Sequence, residues 1–142
     1  MRIADVLKRK GGDVVTVRPD ATVTELLALL AEHRIGAVVV SDDGAGVRGI
    51  VSERDVVRHL HTAGAGLLEQ PVSEIMTTSV HTCTPEESLE DLAAAMTDRR
   101  IRHVPVVVED RLEAIVSIGD IVKFRIDTLQ AERDQLRDYI SQ

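Results

Sequence analysis

The stretch VVTVRPDATVTELLALLAEHRIGAVVVSDDGAGVRGIVSERDVV, residues 14–57, returns as VHTCTPEESLEDLAAAMTDRRIRHVPVVVEDRLEAIVSIGDIV, residues 80–122. With one residue removed near Gly46 the two align, and identities recur in order: Val14/Val80, Thr16/Thr82, Pro19/Pro85, Leu26/Leu92, Ala28/Ala94, Arg34/Arg100, Ile35/Ile101, Val38/Val104 and Val40/Val106, then Ile50/Ile115, Val51/Val116, Ser52/Ser117, Asp55/Asp120 and Val57/Val122. A duplication of this length reads as two copies of one supersecondary unit, neither of which can bury its apolar face alone. Two copies imply two similar sites.

Each copy reads as β-α-β-β-α, a mixed α/β unit. A Val/Thr stretch (Val14 to Val17; Val80 to Thr84) precedes Pro19 or Pro85, which cannot continue a ladder. Val23, Leu26, Leu27 and Leu30, matched by Leu89, Leu92, Ala93 and Met96, fall at i, i+3, i+4 and i+7 and predict one apolar stripe per helix. Thr22 to Glu25 and Ser88 to Asp91 resemble capping boxes at their starts, Asp being the weaker third-position partner. Two β-branched runs follow in each copy, Ala37 to Ser41 with Val47 to Val51, and His103 to Val108 with Leu112 to Val116; SDDGAG and EDR join them as hairpins, the second tighter. A second helix begins at Ser52 or Ser117. HTAGAGLLEQP, residues 61–71, connects the halves, and short amphipathic segments, Ile3 to Leu7 and Val72 to Met76, lie before each copy. After copy two, Val122, Ile126, Leu129, Leu136 and Ile140 carry a stripe through polar sequence, interrupted by Arg133, which predicts one long projecting helix.

The chain has two aromatic residues, Phe124 and Tyr139, so its core is aliphatic and a bound base cannot rely on a stacking ring. A net charge of −7 argues against nucleic acid or an anionic membrane as the main partner, because both need surplus Lys and Arg; an anionic ligand would need a local basic cluster. Cys83 is the single cysteine, so no internal disulfide forms, and with no signal peptide or long apolar run the expected location is cytoplasmic.

The motif that carries chemistry is a hydrophobic strand running into Ser-x-x-Asp: Gly49-Ile50-Val51-Ser52-Glu53-Arg54-Asp55 and Ala114-Ile115-Val116-Ser117-Ile118-Gly119-Asp120. It reads two ways. Ser-x-x-Asp is what a helix N-cap looks like, and it is also a place where a carboxylate can accept both hydrogen bonds of a ribose cis-diol beside free N–H groups. The carboxylate would repel phosphate, so cations must face it. They lie in the other repeated element, Asp98-Arg99-Arg100-Ile101-Arg102-His103, with its weaker counterpart Glu32-His33-Arg34-Ile35-Gly36-Ala37; a solvated helix end explains Arg99 and Arg100 equally well. Gly36 leaves room for a ligand to approach backbone.

With these motifs in hand, both copies resemble CBS (cystathionine β-synthase) domains, and the pair resembles a Bateman module. The resemblance implies CBS repeats at 1–62 and 72–126, a connector at 63–71 and a helical extension at 127–142, the repeats packing through their strands with pseudo-twofold symmetry around two clefts. It implies clefts for adenosine ligands: AMP above all, or ATP, NAD or S-adenosylmethionine. By the family's pattern Asp55 and Asp120 hold the ribose, Ser52 and Ser117 line ribose or phosphate, Arg54, Arg102 and His103 reach phosphates, and backbone around Thr16, Thr82, Ile35, Gly36, Ala37 and Ile101 holds the adenine. The clefts cannot be equivalent, because Gly49 faces Ala114 and Arg54 faces Gly119 in the alignment.

No catalytic constellation is visible: His59-x-His61 lacks further ligands, and nothing places a base beside Cys83. The expectation is therefore no enzyme but a regulatory sensor acting on an unidentified effector in another chain. The alternative is a ligand-free scaffold that holds a partner protein. A homodimer is expected, because Val56, Val57 and Leu60, with Ile121, Val122 and Phe124, would present more apolar surface than a small monomer should expose.

Overall fold

Serine and threonine caps, proline stops and β-branched runs divide the chain where the pattern places them. The computed structural model describes residues 1–11 and 14–142. After α1 (Ile3–Lys10), copy one forms β1 (Thr16–Val17), α2 (Val23–His33), β2 (Ala37–Val40), β3 (Gly49–Ser52) and α3 (Glu53–Ala63). Copy two forms α4 (Leu89–Arg99), β4 (His103–Val108), β5 (Arg111–Ser117) and α5 (Ile118–Ser141). In the first sheet β2 is central, parallel to β1 and antiparallel to β3, with Val38 opposite Val51. In the second, β4 and β5 pair antiparallel through a two-residue turn whose Glu109 and Asp110 both have positive φ, the twist-matched hairpin geometry.

Copy two lacks the expected first strand. Its Val80–Thr84 stretch keeps one parallel bridge, Cys83 with Val106, where Cys83 N–H donates to Pro105 and Val107 N–H donates to Cys83. Pro105 aligns with Val39 of β2 and has no N–H to give, so the ladder cannot extend toward His81 as it does in copy one.

The stripe of α2 is one residue narrower than the spacing predicts, whereas in α4 the i+4 residue Ala93 still packs on its core. Val23, Leu26 and Leu30 are buried, as are Leu89, Leu92 and Met96, but Leu27 is 37% exposed. Thr22 and Glu25 form a reciprocal capping box, whereas Ser88 caps Asp91 N–H without the return bond. Both helices end at an arginine in the left-handed region, Arg34 (φ 55°) and Arg100 (φ 56°). There Ile35 and Ile101 N–H turn back onto Leu30 and Met96 carbonyls and their side chains pack on the two cores, which explains the repeated Arg-Ile pair.

The cores are closed crosswise. Ile3 and Val6 of α1, which precedes copy one, lie in the core of copy two with Leu89, Leu92, Met96, Val104 and Val116. Leu67 of the connector, with Val72 and Ile75 before copy two, lies in the core of copy one with Val23, Leu26, Val38 and Val51. Matching backbone bonds hold the two segments: Ile3 N–H to Glu87 and Ala4 N–H to Pro85, against Val72 N–H to Ala21 and Ser73 N–H to Pro19. The connector is accordingly built, with residues Gly64–Glu69 forming a 3₁₀ helix.

Candidate functional site

The strand-to-helix motif places Ser52 and Ser117 at the N-caps of α3 and α5, each accepting the N–H of its Asp three residues on. The cap reading therefore holds in both copies. It uses part of each carboxylate. Asp120 Oδ2 accepts Ser117 N–H at 2.9 Å, and Asp55 Oδ2 accepts Ser52 N–H at 2.8 Å and the Ser52 hydroxyl at 3.1 Å; in both, Oδ1 has no hydrogen-bond donor among the described residues. A carboxylate offers about four lone-pair sites, so capping leaves acceptors for a diol.

Asp120 and Ser117 open onto a cavity of about 730 Å³ between the copies. Its apolar wall includes Val14, Val15, Ile35 and Ile115; its polar wall includes Lys10, Arg34, His103, Glu113 and Asp120. Gly36 and Ala37 line it as well, and a side chain at position 36 would come within 3.8 Å of the His103 ring. Of the residues singled out by pattern, Ile35, Gly36, Ala37, His103, Ser117 and Asp120 are thus brought together. Thr16, Ser52, Arg54, Asp55, Thr82, Ile101 and Arg102 do not line this cavity. Arg102 is exposed, and its carbonyl accepts Ile118 N–H.

Lys10 escaped the pattern. Its Nζ sits 2.7 Å from Asp120 Oδ2 and donates to the Ile115 carbonyl. Burial is the largest influence on Asp120 and would raise its carboxyl, but the Lys10 bond, the Ser117 N–H and the Lys10 charge together hold it below the usual carboxylate range. His103 is pushed below the usual imidazole range, first by burial and then by the Lys10 charge, with Asp120 opposing, so the ring is neutral at pH 7. The signal available was Lys8-Arg9-Lys10, three successive cations in an acidic chain, but it lies outside the repeat.

The matching position in copy one is built differently. Thr77 pairs with Ile50 through N–H to carbonyl bonds in both directions, so backbone satisfies the carbonyl that Lys10 satisfies in copy two. This approach needs Gly49: a Cβ there would fall 2.8 Å from Met76 Sδ and 2.8 Å from the Thr77 carbonyl. Among the described residues no backbone segment bridges Ile115 as Thr77 bridges Ile50, so Ala114 is accommodated where copy one has Gly49.

Among the described residues no group of three or more His, Cys, Asp or Glu could hold a metal, and no helix is long and apolar enough to cross a membrane. His59 Nδ1 lies 2.8 Å from the Asp55 carbonyl of its own helix. Burial, reinforced by Glu87, pushes the Cys83 thiol up to about 12, so it is no thiolate nucleophile at neutral pH.

A duplicated β-α-β-β-α unit with a capped Asp facing an interdomain cleft defines a tandem CBS-domain protein. The CBS domain family matches residues 3–62 and 72–127, and the chain belongs to that family. It is 34% identical to a mitochondrial CBS domain-containing protein of Arabidopsis thaliana over 146 residues, covering 97% of this chain and 71% of the relative. It superposes on a CBS-domain containing protein from Agrobacterium tumefaciens with a TM-score of 0.85 and 46% identity, covering 88% of this chain and 99% of that one. A CBS domain protein from Pyrobaculum aerophilum, solved in complex with AMP, is 28% identical with a TM-score of 0.75, over 84% of this chain and 89% of that one.

Proposed function

We propose that this chain is a regulatory module that binds an adenosine nucleotide of AMP type in the copy-two cleft and acts on a separate effector protein rather than catalysing a reaction. The observation that carries this reading is Asp120: a carboxylate fixed at a helix N-cap, with acceptor capacity left over, at the edge of a cavity of nucleotide size. The aliphatic wall of Val14, Val15, Ile35 and Ile115 suits a purine in a chain without a usable aromatic ring. The AMP held by the Pyrobaculum relative supports the same ligand class. His103 lines the wall where a phosphate would gain a partner by protonating the ring; Arg102, exposed outside the cavity, is assigned no phosphate role here.

A thermal-shift screen of AMP, ATP, NAD, S-adenosylmethionine and adenosine tests it. A ligand at 100 times its dissociation constant adds about 2.7 kcal/mol, which moves the melting point of a chain this size by roughly 5–10 °C. A flat response to all five favours the scaffold reading. That reading has its own support in an exposed apolar face: Val57, Leu60, Val122, Ile126 and Leu129 are each more than 40% exposed. The two readings share one assembly, a homodimer that covers this face.

A further inference from the structure

Lys10 has no counterpart in copy one. The crosswise bonds pair Ile3 with Val72 and Ala4 with Ser73, which sets Leu7 beside Met76 in the alignment. From Leu7 to Val14 is seven positions (14 − 7) and from Met76 to Val80 is four (80 − 76), so three extra residues precede copy one. They extend α1 through Lys10, whereas copy two is preceded by a 3₁₀ turn of only Val72–Glu74. The added helical turn replaces a strand-like backbone contact with a flexible ammonium inside the cleft.

A lysine ammonium has three N–H donors. The Ile115 carbonyl and Asp120 Oδ2 take two, and the third has no protein acceptor among the described residues. The stem that carries it is long and rotatable, so the charge can follow a ligand group that arrives beside Asp120. The other charged groups on the wall stand differently: Arg34 caps α2 through its backbone and makes no bond to Asp120, burial favours the neutral form of His103, and Glu113 is negative. Once a diol shares Asp120, the lysine bonded to it is left without full compensation.

We infer that Lys10 sets the charge preference of the copy-two cleft, selecting a ligand that bears phosphate over the neutral nucleoside. The inference rests on the nucleotide reading above and assigns a specificity residue within it.

Calorimetric titration of the full chain with AMP and with adenosine tests it, on wild type, Lys10→Met and Lys10→Arg, with Asp120→Ala identifying the heat that belongs to this cleft. One charge-assisted hydrogen bond corresponds to about tenfold in affinity or more. Wild type should therefore prefer AMP by about tenfold or more, Lys10→Met should bring the two ligands within about threefold, and Lys10→Arg should restore most of the preference. An unchanged AMP-to-adenosine ratio in Lys10→Met overturns the inference, as does a wild type that binds both alike; either leaves the nucleotide reading standing. A wild type that binds neither ligand removes that reading, and the inference with it. If Lys10→Met does not melt cooperatively, Lys10→Gln, which retains a side-chain donor without the charge, is read against the same ratios.

Discussion

At the residue scale, the two copies differ most at Gly49 and Lys10, and each difference has a measurable consequence. Gly49→Ala drives a methyl into the Thr77 carbonyl and Met76, so it should destabilise by roughly 1–3 kcal/mol in urea, while Ala114→Gly, with no such neighbour, costs less than about 1 kcal/mol. Equal costs would mean that the close approach at Gly49 is not maintained. Asp120 titrates near 3.9 when unfolded and lower when folded, so its contribution to stability is in place above about pH 4 and is lost as pH falls through the folded value. Lys10→Met leaves burial opposed only by the Ser117 bonds. The carboxyl should then titrate higher by carboxyl-carbon NMR and the acid loss of stability should become shallower; an unmoved titration would show that Lys10 does not engage Asp120 in solution. The Ser-x-x-Asp motif was legible because it repeats, and repetition separated it from an ordinary cap. Lys10 was not, because its partners Ile115 and Asp120 lie 105 and 110 positions away and only tertiary packing joins them.

At the element scale, helix and strand positions follow from periodicity and capping residues, and what periodicity misses is who packs on whom. The amphipathic segment at Ile3 was visible as a short helix, but nothing local says that it closes the core of the other copy. The connector reads as loop from its Gly and Ala content, yet Leu67 within it is fully buried. Leu67→Ala should therefore cost about 2–5 kcal/mol in chemical denaturation, as core leucines do, whereas a plain linker residue would stay within about 0.5 kcal/mol. The smaller value would contradict the crosswise closure. Pro105 shows the converse limit: it was readable as a residue without an N–H, but its effect on the first strand appears only once the parallel partner is known.

On the scale of the whole molecule, the surface left by α3 and α5 asks for a partner. The expected apolar face is smaller than its residues suggested, because Val56 and Ile121 turn inward to the two cores and Phe124 is partly covered by Arg9. Val57, Leu60 and Val122 remain outside. Along α5, Val122, Ile126, Leu129, Leu136 and Ile140 continue at alternating spacings of four and three, with Arg133 completing the series and weakening the seam. Light scattering at micromolar concentration should report a dimer for the full chain and for a form ending at Arg125, since α3 and the start of α5 carry the wider patch. A monomeric full chain would reject the homodimer, and loss of the dimer on truncation would move its basis to the projecting helix.

The claim on which the functional account stands is that Asp120 holds the sugar of an adenosine nucleotide. Calorimetric titration of AMP into wild type and Asp120→Ala, with the fold of both checked by circular dichroism, measures it most directly. Loss of the charge-assisted diol bonds should weaken AMP by about 1.5–3 kcal/mol, roughly 10- to 150-fold, at the copy-two cleft. Wild-type affinity and stoichiometry in Asp120→Ala would contradict the account.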